Sequence, residues 1–336
     1  MNLKTLTKDL RLAKTILFKH PYKCIVQVTN RCNMKCSFCD FWPNGVPSSQ
    51  ELSLDDYRKL ADELASLGCF IVSIEGGEPL VRSDIVEIVR IFAKKHVPIL
   101  FTNGWYVDEK IAHDFFQAGL AQIGVSIDYP DAKRHDAKRG LEGGFERAWK
   151  AVGLLKKAAL NGGKQVYVMT VLMKENQEDV EAMLQLTAPL GIGHTFTLLS
   201  DKGFRRTSAD QPPDAPISER LLELHGRYPH LKVFRKYLEL IDPYLKGGTM
   251  PACHAGEQSF NIDHVGNVAP CIEKIDHPYG NLREEPLSQI LGRMRNLPEV
   301  SGCQDCWTLC RGFSQCLDGR GDLKSWQDLG GRMRTS

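Results

Sequence analysis

No stretch of this 336-residue chain is long and apolar enough to cross a bilayer, which takes about 20 consecutive, mostly apolar residues. The N-terminus has no continuous apolar core ending in a small-residue cleavage site, so nothing there reads as a secretory signal. An excess of one charge sign is also missing: 43 Lys and Arg stand against 41 Asp and Glu, so the overall charge implies no nucleic-acid partner. No internal repeat is evident. Cysteine, by contrast, is plentiful. The count is eleven, an odd number without an export signal, which argues against a disulfide framework and for a reducing cytoplasm.

Nine of the eleven cysteines fall in two groups, one at Cys32, Cys36 and Cys39, the other from Cys253 to Cys316. Cys24 and Cys69 sit in apolar runs and read as buried core thiols. The first group has the spacing Cys-x-x-x-Cys-x-x-Cys directly after an apolar run, so one short loop supplies three thiolates. A [4Fe–4S] cluster normally takes four cysteines. Three leave one iron open for a further ligand, and an open position marks chemistry rather than structure. Zinc is the alternative, but it asks for four closed donors, and the nearest histidine, His20, precedes the strand.

Apolar, β-rich runs at residues 24–30, 69–75, 98–102, 122–127, 165–173 and 194–199 alternate with amphipathic stretches at 54–67, 84–95, 108–118 and 145–157. In the first of these stretches Tyr57, Leu60, Ala61 and Leu64 follow helical spacing. Six strand–helix alternations predict an α/β fold with a parallel sheet, whose site lies at the carboxyl ends of the strands. Gly76-Gly77-Glu78-Pro79 follows the second strand, Asn103-Gly104 the third, and Asp128 ends the fourth. With the cysteine loop after the first, four features converge on one face.

Residues 200–216 are polar with Pro212, Pro213 and Pro216, and read as a linker or lid before a helical region at 217–245. The chain divides into an N-terminal basic amphipathic helix (1–23), a core (24–200), a linker and helical region (201–250) and a cysteine-rich C-terminal region (251–336). The N-terminal segment carries six basic side chains and one acidic, a net of +5. It fits either peripheral membrane contact through residues 1–20 or a helix capping the core.

The cysteine spacing, with Phe38 before its last member, resembles the signature of the radical S-adenosylmethionine (SAM) superfamily, and Gly76–Pro79 is similar to that family's SAM-binding loop. The resemblance implies a partial (βα)6 TIM-like barrel. Cys32, Cys36 and Cys39 would ligate three irons of a [4Fe–4S] cluster, and SAM would chelate the fourth. Reduction by a donor such as flavodoxin or ferredoxin would cleave SAM to a 5′-deoxyadenosyl radical that abstracts a substrate hydrogen. Gly76 and Gly77 would let backbone approach the ligand, Glu78 would accept from the SAM ammonium group, and Pro79 completes the loop. Asn103, Ser126 and Asp128 match family positions around SAM, and Arg139 would pair with its carboxylate. His135 reads as part of a helix start.

In the C-terminal region, residues 261–267 read as a hairpin that returns Cys271 towards Cys253. Cys253, Gly266-Asn-Val-Ala-Pro-Cys271, Cys303-x-x-Cys306, Cys310 and Cys316 resemble the SPASM/twitch extension that holds auxiliary clusters. A full SPASM domain carries seven cysteines with Cys-x-x-Cys-x5-Cys-x3-Cys in the middle. Here there are six, and the middle reads Cys-x-x-Cys-x3-Cys-x5-Cys. One auxiliary [4Fe–4S] cluster on Cys253, Cys271, Cys303 and Cys306 is the expectation, leaving Cys310 and Cys316 spare or in a differently ligated second site. The substrate would be a peptide, a small molecule or a lipid-linked compound, oxidised, cross-linked or otherwise modified. The absence of an obvious leader-peptide recognition domain favours the latter two. Two readings compete: a non-catalytic zinc-binding interaction protein, and an isomerase or lyase that uses SAM catalytically.

Overall fold

A computed structural model describes residues 3–17, 21–159, 165–200, 202–204, 206–207 and 209–317. The six expected strands are present: β1 (Lys23–Thr29), β2 (Ile71–Gly76), β3 (Val97–Thr102), β4 (Gln122–Ser126), β5 (Gln165–Leu172) and β6 (Gly193–Leu198). All pair in parallel, each with its sequence neighbour. The sheet continues past β1 into β7 (Ser259–Ile262), β8 (Asn267–Ala269) and β9 (Gly280–Asn281). β7 runs parallel to β1, while β8 and β9 complete an antiparallel hairpin and edge. The expected hairpin is therefore present, and it is grafted onto the barrel's first strand.

Helices α1 (Leu3–Leu17), α2 (Leu54–Leu67), α3 (Ile85–Ala93), α4 (Glu109–Ala118), α5 (Ala132–Arg139), α6 (Gly144–Ala159) and α7 (Val180–Thr187) accompany these strands. α2 shows how local chemistry fixes them. Ser53 and Asp56 form a reciprocal capping box, and Tyr57, Leu60, Ala61 and Leu64 bury one face, each large side chain worth roughly 1.5–3 kcal/mol. On β1, Cys24, Val26 and Val28 join this helix-side core with Val72, Ile74, Leu100, Ile123 and Val125. Cys24 and Cys69 are fully buried.

α1 touches the amino-end side of the barrel: Cys69 N donates to Thr15 Oγ1 at 3.3 Å, and Lys8 Nζ donates to Ala93 O at 2.9 Å. That contact fits the capping alternative. Residues 1, 2 and 18–20 of the segment read as a membrane contact lie outside the described residues. No described helix is long and apolar enough to cross a membrane.

Opposite β7, the helix Leu309–Leu317 spans the gap between the barrel's terminal strands. Leu309 N donates to Thr197 Oγ1 on β6 at 3.0 Å, and Lys23 Nζ on β1 donates to Cys310 Sγ at 3.4 Å. The proline-rich linker crosses the barrel mouth as a strap. Ser37 Oγ in the cysteine loop donates to Asp210 at 2.6 Å, Thr207 Oγ1 donates to Ser37 O, and Phe204 N donates to Glu273 O at 3.1 Å.

Candidate active site

The loop after β1 is fastened by a buried charge network. Glu51, 4% exposed, accepts from Thr29 Oγ1, from Arg31 Nε and Nη2 at 3.0 and 2.9 Å and from Arg82 Nη1 at 3.3 Å. Arg82 also donates to the Val28 and Leu52 carbonyls, both at 3.1 Å, and pairs with Asp84. These bonds tie the carboxyl ends of β1 and β2 together. From the other side Lys35 N and Ser37 N donate to the carbonyls of Arg139 and Lys138, so the end of α5 clamps the cysteine loop.

Within that loop Cys32, Cys36 and Cys39 are half-buried, and Met34 N donates to Cys32 Sγ at 3.4 Å. Burial pushes the Cys32 and Cys36 thiols up to about 12, while Arg139 pulls both down. The protein alone disfavours thiolates at Cys32 and Cys36, and bound iron would supply the missing positive charge. Two polar atoms beside the cysteines, Asn30 Oδ1 and Asn33 Nδ2, are buried without a partner among the described residues. A donor set of three thiols with unpaired polar atoms at its rim fits a cluster carrying a polar ligand.

The remaining expected residues stand on the same face. Gly76 has φ +134, and a Cβ there would lie 2.1 Å from Thr29 O. A Cβ on Gly77 would lie 2.3 Å from Arg31 O and 2.6 Å from Asn30 O. The close approach that these glycines permit is made by the cysteine loop's own backbone, and Gly77 N donates to Thr29 O at 2.7 Å. Glu78, 1% exposed, accepts from Thr102 Oγ1 and Asn103 N, both at 2.7 Å, and from Leu80 N at 3.0 Å. Burial raises its carboxyl above the usual value against the pull of these donors. Pro79 opens a short 3-10 turn and is buried. Asn103 Nδ2 donates to Asn33 Oδ1 at 2.8 Å and reaches Cys32 Sγ at 4.0 Å.

Ser126 lies half-buried at the end of β4. Asp128 is fully buried: its Oδ2 accepts Arg139 Nε at 2.8 Å and Nη2 at 2.7 Å, and its Oδ1 accepts Val171 N at 2.9 Å. Arg139 thus meets Asp128, and its guanidinium carbon stands 5.7 Å from the centre of the Phe38 ring. His135 accepts from Asp128 N through Nδ1 at 3.2 Å; burial drives it down to about 4, so the ring is neutral. Sequence reasoning missed Glu51, Arg82, Asp210 and Asn176, the last donating to the carbonyls of Asp128 and Val171, both at 2.9 Å. They carry no motif.

In the second group Cys271 and Cys306 each lie within electrostatic reach of Cys253 and of one another, and burial raises both thiols, Cys306 to about 11. Cys303 donates to Asp305 Oδ2 at 3.4 Å. Cys310 turns towards the barrel and Lys23. The side chain of Cys316 lies outside the described residues. Cys39 and Cys310 pack against one apolar cluster, Ile25, Phe41, Ala269, Ile272 and Ile275. One member of each cysteine group thus touches the same cluster.

The radical SAM superfamily profile matches residues 26–187, and the SPASM profile, an iron–sulfur cluster-binding domain, matches residues 253–307. An AdoMet-dependent heme synthase of Methanosarcina barkeri is 28% identical, with 83% of this chain and 86% of that protein covered. The mycofactocin maturase MftC of Mycolicibacterium smegmatis is 27% identical, with 85% and 76% covered. Streptococcus suis SuiB, solved bound to the precursor peptide SuiA, has the same fold at 16% identity and a TM-score of 0.63, over 94% of this chain and 78% of that one. With its cysteine loop at the barrel mouth and its second cysteine group beyond β7, this chain belongs to the radical SAM superfamily, an enzyme with a C-terminal SPASM domain whose cofactors are [4Fe–4S] clusters and SAM.

Proposed function

We propose that the chain reductively cleaves SAM at the barrel mouth and abstracts a hydrogen atom from a substrate held in the barrel, in a reducing cytoplasm and with a flavodoxin- or ferredoxin-type donor. The observation that carries this reading is the meeting of Cys32, Cys36, Cys39, Gly77, Glu78 and Asn103 at adjacent strand ends. When bound, the cofactors supply one-electron cleavage of SAM to a 5′-deoxyadenosyl radical and, at the auxiliary cluster, an acceptor for the electron released on substrate oxidation.

The protein's own residues position and exclude. Cys32, Cys36 and Cys39 hold the first cluster. Glu78 spans the ends of β2 and β3 and keeps the Gly76–Pro79 backbone in place for the amino-acid end of SAM. Arg139 has committed Nε and Nη2 to Asp128, leaving Nη1 for the SAM carboxylate, while Ser126 faces the ribose side. The strap through Thr207 and Asp210 covers Ser37 and keeps water from the cysteine loop. Cys253, Cys271, Cys303 and Cys306 hold one auxiliary cluster.

The test is anaerobic reconstitution followed by incubation with SAM and dithionite. 5′-Deoxyadenosine and an absorbance band near ~400 nm are expected, the latter from thiolate-to-iron charge transfer. The combined Cys32→Ala, Cys36→Ala and Cys39→Ala variant should make no 5′-deoxyadenosine yet keep the C-terminal iron. Cys271→Ala should lose that iron and still cleave SAM without coupling to product. A colourless protein with stoichiometric zinc would sink the reading.

A further inference from the structure

A carboxylate and a guanidinium from two separate segments meet beside the second cysteine group. Glu273 stands two residues after Cys271, in a short 3-10 turn over Ile272–Lys274, and its own N–H donates to Cys271 Sγ. Its carboxylate lies within electrostatic reach of the Cys271 and Cys306 thiols. Arg206 comes from the strap, 67 positions earlier in the chain. Its Nη2 donates to Glu273 Oε1 at 3.0 Å, and the two side chains are only 7% and 8% exposed. The strap is fitted to that acid. Phe204 N donates to Glu273 O at 3.1 Å and Arg206 N to Gly203 O at 3.2 Å. Gly203 has φ +103, and a Cβ there would lie 2.6 Å from both Cβ and Oε2 of Glu273.

Burial raises both thiols, and the Glu273 charge raises them further, so the acid left alone works against iron binding. A guanidinium that stays protonated throughout the working pH range offsets it. The same two charges act on electron transfer. Net charge around an iron–sulfur cluster is one of the levers on its reduction potential. Reduction adds negative charge, which a nearby carboxylate disfavours and a nearby cation favours.

We propose that Arg206 is a positioning residue that sets the reduction potential of the auxiliary cluster, by holding the Glu273 carboxylate in place and offsetting its charge. This rests on the reading that Cys253, Cys271, Cys303 and Cys306 hold that cluster. Arg206 keeps the potential above the value that the thiolates and the acid would give without it. That direction suits an electron acceptor, the role that the proposed reaction assigns to the second site.

The test is a redox titration at pH 8, followed by electron paramagnetic resonance, on reconstituted full-length protein with iron and sulfide counted. The combined Cys32→Ala, Cys36→Ala and Cys39→Ala background leaves the auxiliary signal alone. Arg206→Met keeps the stem and removes the charge. It should make the cluster about tenfold harder to reduce, the scale of one partly buried unit charge, which is about 59 mV lower for one electron. Arg206→Lys should recover most of that shift, and Glu273→Gln should move the midpoint upward. An unchanged midpoint in Arg206→Met, or an equal fall in Arg206→Lys, would overturn the assignment and leave Arg206 a packing contact. If Arg206→Met fails to fold or to keep its iron, Glu273→Gln decides, and a midpoint that does not rise overturns the proposal. Missing C-terminal iron in the background protein is a different failure: it removes the cluster reading, and this assignment with it, before any midpoint is compared.

Discussion

Replacing Gly76 by alanine asks the most of the site for the least change in chemistry. The new methyl carbon would stand 2.1 Å from Thr29 O, and that neighbour is backbone, not a side chain that can swing away. The φ of +134 is itself costly for an L-residue, by about 1–3 kcal/mol, and the forced displacement of β1 adds about 1–3 kcal/mol. Together they remove about 2–6 kcal/mol from a total stability of order 5–15 kcal/mol. Gly77→Ala carries the steric part alone, since its contacts at 2.3 and 2.6 Å are again backbone oxygens of the cysteine loop. Gly153→Ala is the control: the residue lies in α6 with nothing within 4 Å of an added Cβ, so alanine should stabilise by about 0.5–1 kcal/mol. Urea unfolding followed by far-UV dichroism, with iron and sulfide counted on each reconstituted variant, separates the three. The expected order of loss is Gly76→Ala, then Gly77→Ala, with Gly153→Ala gaining, and the iron lost belongs to the first cluster. A Gly76→Ala protein with a wild-type urea midpoint and full iron would refute the packing argument.

Arg82→Met should cost about 3 kcal/mol, the low end for breaking a buried pair, because Arg31 stays to hold Glu51; an unchanged urea midpoint would count against the network. His135→Gln probes the pH profile. The ring's folded value is lowered to about 4 from 6.5 by burial, so the unfolded chain binds the extra proton between those limits. The stability that the neutral ring contributes is full above pH 6.5 and is lost as pH falls towards 4, up to about 3 kcal/mol. Glutamine keeps an acceptor for Asp128 N without titrating, so its stability curve should be flatter across that window; identical slopes would show that His135 charges freely in the fold.

The strands β1 to β6 were legible because a strand buried between helices reads as a short apolar run, and each of the first four runs ends in an unusual residue. The loop features after those runs were legible as types: three cysteines, a Gly-Gly-Glu-Pro turn, an acidic strand end. Their partners were not. Glu78 reads as a ligand contact from its motif, and its carboxylate also accepts from Thr102, Asn103 and Leu80. Asp128 and Arg139 read as two independent contacts, yet they find each other across eleven positions of sequence. Such pairings depend on how strand ends are brought together, and nothing in local spacing encodes that. The same holds for β7. Its hairpin was visible in the turn at 263–267, but pairing with a strand more than 200 residues earlier belongs to tertiary structure.

That pairing has a consequence for how the two cysteine groups work together. β1 carries the first group at its carboxyl end, and β7, hydrogen-bonded along β1, leads through β8 to Cys271. Ile25 of β1 and Ala269 of β8 lie in the apolar cluster against which Cys39 and Cys310 pack. The strap closes the same circuit at the surface: Thr207 and Asp210 hold Ser37 beside the first group, and Phe204 and Arg206 bind Glu273 beside the second. One sheet, one apolar cluster and one strap therefore fix both groups, so a displacement of either is resisted by contacts to the other. In the proposed reaction a hydrogen atom goes to one cofactor and an electron towards another, and such a transfer calls for that shared frame more than for any single ligand.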